Sequence, residues 1–142
     1  MSGDYFLLAT GLRSLSAAAM VNSSIVCDIS LPPGQLPASA GEFFPPPSLI
    51  SKLTLNGRGP ANFVNGYLVA RTMGTINLGR VQMSNSGPVF GVAAQTIMAI
   101  RGRDLSSTKP FRVKRLDDPA AWEIEKGQMG IDWQDFDIKL LS

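Results

Sequence analysis

The stretch "VFGVAAQTIMAI", Val89 to Ile100, is long and nearly all apolar. Such a run reads as a strand buried on both faces, and it sets the expectation of a β-rich fold. Working outward, the dominant period is two. Ile25, Cys27, Ile29 and Leu31 alternate with other residues, as in a half-buried strand. Leu49, Leu53 and Leu55 share one face of a second strand, opposite Lys52 and Thr54. Tyr67, Val69 and Met73 mark a third, and Ile76 to Met83 a fourth that bends at Gly79. Phe111 and Val113 alternate with Arg112 and Lys114, and Trp122 and Ile124 alternate with Glu123 and Glu125. Phe136, Ile138 and Leu140 close the series.

Turn signals separate these runs: Asn56-Gly57, Asn65-Gly66, Ser84 to Pro88, Lys109-Pro110 and Asp117-Asp118-Pro119. Their spacing is that of a sandwich or barrel. Only Leu12 to Val21 looks helical, through its alanines, and no internal repeat stands out. The expectation is one mainly β domain over residues 1–142: an antiparallel β-sandwich or barrel with at most one short helix. Val92, Ile97, Ile100, Val69, Leu53 and Ile29 are its expected core.

Six of the ten prolines fall between Pro32 and Pro47, so residues 32–48 read as a Pro-rich extended arm or loop. A loop this long without its own structure tends to be functional. It carries Phe43 and Phe44, which extended backbone points to opposite sides. Two readings stand side by side: a lid on the domain's own core, and an arm that docks on a neighbouring subunit. The second makes Phe43 and Phe44 protein-interface residues.

Composition narrows the chemistry. With no histidine, a histidine base and His-ligated zinc or haem are excluded. One cysteine, Cys27, excludes an intrachain disulfide and a thiolate cluster. Its phase with Ile25 and Ile29 makes it a core residue. Ser106 and Lys109 fit an S-x-x-K pattern, yet the companion motifs of an acyl-enzyme are missing. Gly57-Arg58-Gly59 lacks the Lys-Ser/Thr pair of a phosphate loop and reads as a turn. Asp132, Asp135 and Asp137 lack the spacing of a calcium loop. The expectation is no enzyme, no catalytic residue, no cofactor and no metal.

Charge is uneven. Residues 1–116 hold 11 basic and 4 acidic side chains, and residues 117–142 hold 2 basic and 7 acidic. Arg101, Arg103, Lys109, Arg112, Lys114 and Arg115 form the basic cluster. The expected interface pairs Arg112 and Lys114 with Asp135 and Asp137, within or between subunits. The start has Asp4 where an export signal carries positive charge, and Arg13 interrupts its apolar region. No signal peptide and no membrane span are expected, which gives a cytoplasmic localisation for the protein or for its assembly.

The Pro-rich arm and Gly- and Ser-punctuated strands such as "MSNSGPVFGVAAQT" resemble the small β-rich structural proteins of tailed-bacteriophage particles. The resemblance implies a non-enzymatic assembly subunit of a virion, whether capsid decoration or cement, neck, tail or baseplate. Its partners would be itself or other virion proteins. The alternative is a single-domain nucleic-acid- or carbohydrate-binding module, OB-like or sandwich, with Arg112 and Lys114 facing one groove.

Overall fold

The computed structural model describes residues 3–8, 11–29, 34–45 and 47–142. Leu31, Pro32 and Pro46 lie outside the described residues. Two sheets run through the molecule. The first contains β1 (Tyr5–Leu8), β5 (Ser24–Cys27), β8 (Tyr67–Val69), β10 (Phe90–Ala94) and β13 (Phe136–Leu140), in that order. The second contains β2 (Gly11–Leu12) and β3 (Leu15–Ala17), both on β6 (Leu49–Leu55), followed by β9 (Thr72–Val81), β11 (Thr96–Asp104) and β12 (Pro110–Leu116). Two short strands, β4 (Met20–Val21) and β7 (Phe63–Val64), pair with each other at the corner, and β7 also meets the end of β9.

The chain passes back and forth between the sheets, with β2–β4, β6–β7 and β11–β12 as consecutive strands of the second. Among the described residues every pairing is parallel except β11 with β12. The expected antiparallel sandwich or barrel is therefore corrected to a coil of parallel rungs, the geometry of a β-solenoid. A parallel pair needs a crossover between its strands. Here the crossover for each sheet is a strand of the other sheet. From β8 to β10 and from β9 to β11 the offset is 24 residues, Tyr67 beside Gly91 and Thr72 beside Thr96.

Stacked rungs put like beside like. Ile25, Leu68, Val92 and Ile138 form one inward row, and Leu12, Ile50, Met73 and Ile97 face them from the other sheet. Leu15, Leu53, Ile76, Ile100 and Val113 make the next row. The six expected core residues are all buried. At the β4–β7 corner the rings of Phe63, Phe90 and Phe136 pack with centroids 5.6 to 6.1 Å apart.

The expected single strand Val89–Ile100 is two strands. Phe90–Ala94 lies in the first sheet and Thr96–Asp104 in the second, with a corner at exposed Gln95. That corner sits on the one below it, for the Gln95 and Thr96 amides both donate to the Arg71 carbonyl, at 2.9 and 3.2 Å. Strand β10 is buried along its whole length, as its composition implies. Leu12–Val21 is three short strands rather than a helix. The one described α-helix, α1 (Pro119–Gln128), replaces the expected Trp122–Ile124 strand. Asp118 caps it, accepting from the amides of Ala120 and Ala121 at 2.9 and 3.2 Å, and Pro119 suits its first turn.

Helix α1 seals the last rung. Trp122 is buried and donates its indole N–H to the Ile138 carbonyl at 2.6 Å. Trp133 packs edge-on to Trp122 and against Phe111. A solenoid end needs such a cap, because its final rung otherwise bares the core.

Candidate functional site

Four regions carry the candidate residues. The first is the Pro-rich loop. It lies across the outer face of the first sheet, where Val26, Val69 and Ala93 form an apolar row. Phe43 is buried on that row with Ile29, Ala40 and Leu141. Several bonds hold the loop down. The Tyr67 hydroxyl donates to the Gly34 carbonyl at 3.0 Å, and the Phe44 amide donates to the Asp28 carbonyl at 2.7 Å. The Ala40 amide donates to the Ser142 carbonyl at 3.0 Å. Arg71 donates from Nη2 to the Phe43 carbonyl at 3.2 Å, and its guanidinium stands 5.5 Å from the Phe43 ring centre.

Of the two readings of this loop, the described residues 34–45 form a strap on their own sheet, and that leaves docking on a neighbour open. Phe43 does not face outward, because the outer row would otherwise lie in water. Phe44, its neighbour, is 58% exposed.

The second region is the outer face of the second sheet. Thr54, Asn77, Arg101 and Arg112 sit side by side on four successive strands. Arg103 pairs with Arg80 in the same sheet. An open groove of about 440 Å³ lies here, with Arg80, Arg101, Arg103 and Arg112 in its walls. Among the described residues no acidic side chain lines it. Gly57, Gly79 and Gly102 contribute backbone to its lining. Gly79 has φ +63°, and a Cβ there would meet Asn62 Oδ1 at 2.5 Å. Lys114 stands opposite Ala99 on this sheet and outside the groove lining.

The acidic residues lie elsewhere. Asp135 Oδ2 accepts from the amides of Asn85 and Ser86, at 2.9 and 3.1 Å, and from Ser84 Oγ at 3.3 Å. It organises the loop between β9 and β10. Asp137 forms an ion pair with Lys126 of α1. Neither carboxylate pairs with Arg112 or Lys114 within the chain, since β12 and β13 belong to different sheets. No cluster of potential metal ligands occurs among the described residues.

The S-x-x-K residues form the β11–β12 turn. Ser106 and Ser107 both donate to Asp104, and Lys109 Nζ donates to the Gly130 carbonyl at 2.8 Å. Burial raises the Asp104 carboxyl, but the four hydrogen bonds from Ser106 and Ser107 outweigh it and hold it below the usual range. Cys27 is buried, and desolvation with the nearby Asp28 carboxylate pushes its thiol up to about 12.

The fourth region is the first rung. Tyr5, Phe6 and Leu7 of β1 are 41, 44 and 58% exposed. Phe6, Leu8, Leu12, Leu15 and Ile25 line an apolar groove of about 180 Å³. Sequence reasoning missed this end and missed Arg80. The consecutive apolar residues of "YFLL" were the available signal for the first. Arg80 had none, because only the β9–β11 register brings it beside Arg103.

Comparison with protein-family models, curated proteins and solved structures finds no match. No helix among the described residues is long and apolar enough to cross a membrane.

Proposed function

We propose that this chain is a non-enzymatic assembly subunit, a component of a tailed-phage virion, which joins neighbouring subunits through its first rung. The observation that carries this reading is the inequality of the two ends. The last rung lies under α1 and Trp122, whereas the first presents Phe6 and Leu7 to solvent above an apolar groove. Exposed apolar side chains grouped at a sheet edge mark association sites.

The mate at this end is a second copy. The α1 cap blocks head-to-tail stacking, so the arrangement left is first rung against first rung about a two-fold axis. Exposed Phe44 serves a different neighbour in the particle, since it lies on the strap over the first sheet. The first contact is tested by hydrogen exchange at two concentrations. The amides of Tyr5–Leu8 should exchange more slowly in the concentrated sample, and equal rates would remove the end-to-end contact. For the second, Phe44→Ser should leave the fold intact and reduce incorporation into purified particles.

A second reading, a nucleic-acid-binding module, is favoured by one observation, the arginine-lined groove without a carboxylate.

A further inference from the structure

We infer that the outer face of the second sheet is a sequence-independent site for the phosphate backbone of duplex nucleic acid, carried by Arg80, Arg101, Arg103 and Arg112. This goes beyond assembly and would add nucleic-acid contact to it.

The first ground is the placement of like charges. Arg101 and Arg112 are direct cross-strand partners in the antiparallel β11–β12 pair. Arg103 and Arg80 are partners in the parallel β9–β11 pair. Like charges directly opposite each other destabilise a sheet. None of these four has an ion-pair partner among the described residues. A polyanion on this face would remove that repulsion.

The second ground is the shape of the groove. It holds about 440 Å³ of open space, with Arg80, Arg101, Arg103 and Arg112 in its lining. The Arg80 guanidinium is already held, since its Nη2 donates to the Gly57 carbonyl at 3.1 Å and its Nε to Asn62 Oδ1 at 3.5 Å. A guanidinium presents a planar fork that matches phosphate oxygens, and holding it in place lowers the entropy lost on binding.

The third ground is what the face lacks. Single-strand sites interleave aromatics with basic residues so that bases can stack. Here Phe111 is the aromatic of the groove lining, and it is buried against Trp133 and Phe136. With no exposed ring, the face recognises backbone charge, and duplex is the favoured form. Sequence specificity is not expected, because phosphate contacts position a protein without reading bases.

The test is fluorescence anisotropy with a random-sequence DNA duplex across a salt series. Four phosphate contacts give a slope of log K on log salt of about −3.6, or roughly a 150-fold loss from 50 to 200 mM salt. Arg101→Gln combined with Arg112→Gln should reduce the slope to about −1.8, roughly a 12-fold loss. The double variant should fold as the wild type does, by circular dichroism and melting, since both side chains are exposed. Arg115→Gln, whose side chain pairs with Asp117 outside the groove, should leave the slope unchanged. Three results would overturn the proposal. One is no duplex binding by the wild type at 50 mM salt; another is an unchanged slope in the folded double variant. The third is binding of a sulfated polysaccharide or of single strands in preference to duplex.

Discussion

Phe43 and Phe44 adjoin in sequence and take opposite fates, one buried on the chain's own sheet and the other open to water. Extended backbone dictates the opposition, and that much is legible from the sequence. Which ring turns inward is set by the Val26–Val69–Ala93 row, which exists only once the rungs stack. Phe43→Ser should therefore cost about 3 kcal/mol in chemical denaturation, in the range for removing a buried phenylalanine. Phe44→Ser should change stability by less than about 0.5 kcal/mol. Equal effects of the two would show that the strap is placed wrongly. Cys27, in phase with Ile25, was also legible as a core residue. Its raised thiol pKa makes the protonated form the one the fold favours. The stability this gives is complete below about pH 9.0 and declines as the pH climbs toward about 12. Cys27→Ala should flatten the loss of melting temperature above pH 9, although Tyr67, also raised by burial, contributes in the same direction. An unchanged alkaline slope would mean that the thiol ionises freely in the fold.

At the scale of elements, period-two reading located the cores of β5, β6, β12 and β13. It joined Tyr67 and Val69 of β8 to Met73 of β9, though the two strands lie in different sheets, and it mistook the type of two further segments. Leu12–Val21 looked helical through its alanines, but its inward Leu12 and Leu15 stack on Ile50 and Leu53. Tertiary stacking overrides helix propensity there. In α1 the failure ran the other way. Trp122 and Ile124 sit two apart, as in a strand, yet Trp122 is buried and Ile124 is 66% exposed. The deciding signal was Asp118-Pro119, read as a turn and in fact a capped helix start. Asp118→Ala should destabilise the protein by about 1 kcal/mol, seen first as faster exchange of α1 amides. Full retention of stability would mean the cap is unimportant to the end of the solenoid. The β10–β13 pairing has its own weak point at Gly91, with φ +140° and an added Cβ only 2.0 Å from the Asp137 carbonyl. Gly91→Ala should loosen β13 and increase its exchange rate, while β6 and β9 stay protected.

For the whole molecule, β content was legible and strand direction was not. A half-buried strand alternates in the same way whether its neighbour runs parallel or antiparallel. Only the path between strands separates the two, and here that path is another strand. The rung repeat escaped notice because its inward rows accept Leu, Ile, Met or Val interchangeably, so the geometry recurs without identical residues. Two insertions, the strap between β5 and β6 and the β12–α1 segment between β11 and β13, also break the spacing. What the coil adds functionally is a pair of unlike ends. In the proposed assembly, the sealed end would limit growth and the open end would supply the contact. The most direct measurement is the mass in solution by sedimentation equilibrium, for the wild type and for Phe6→Asp combined with Leu7→Asp. The wild type should reach twice the chain mass as concentration rises, and the variant should stay at the single-chain mass with an unchanged circular dichroism spectrum. A wild type that remains a single chain, or a dimer that survives both substitutions, would contradict association through the first rung.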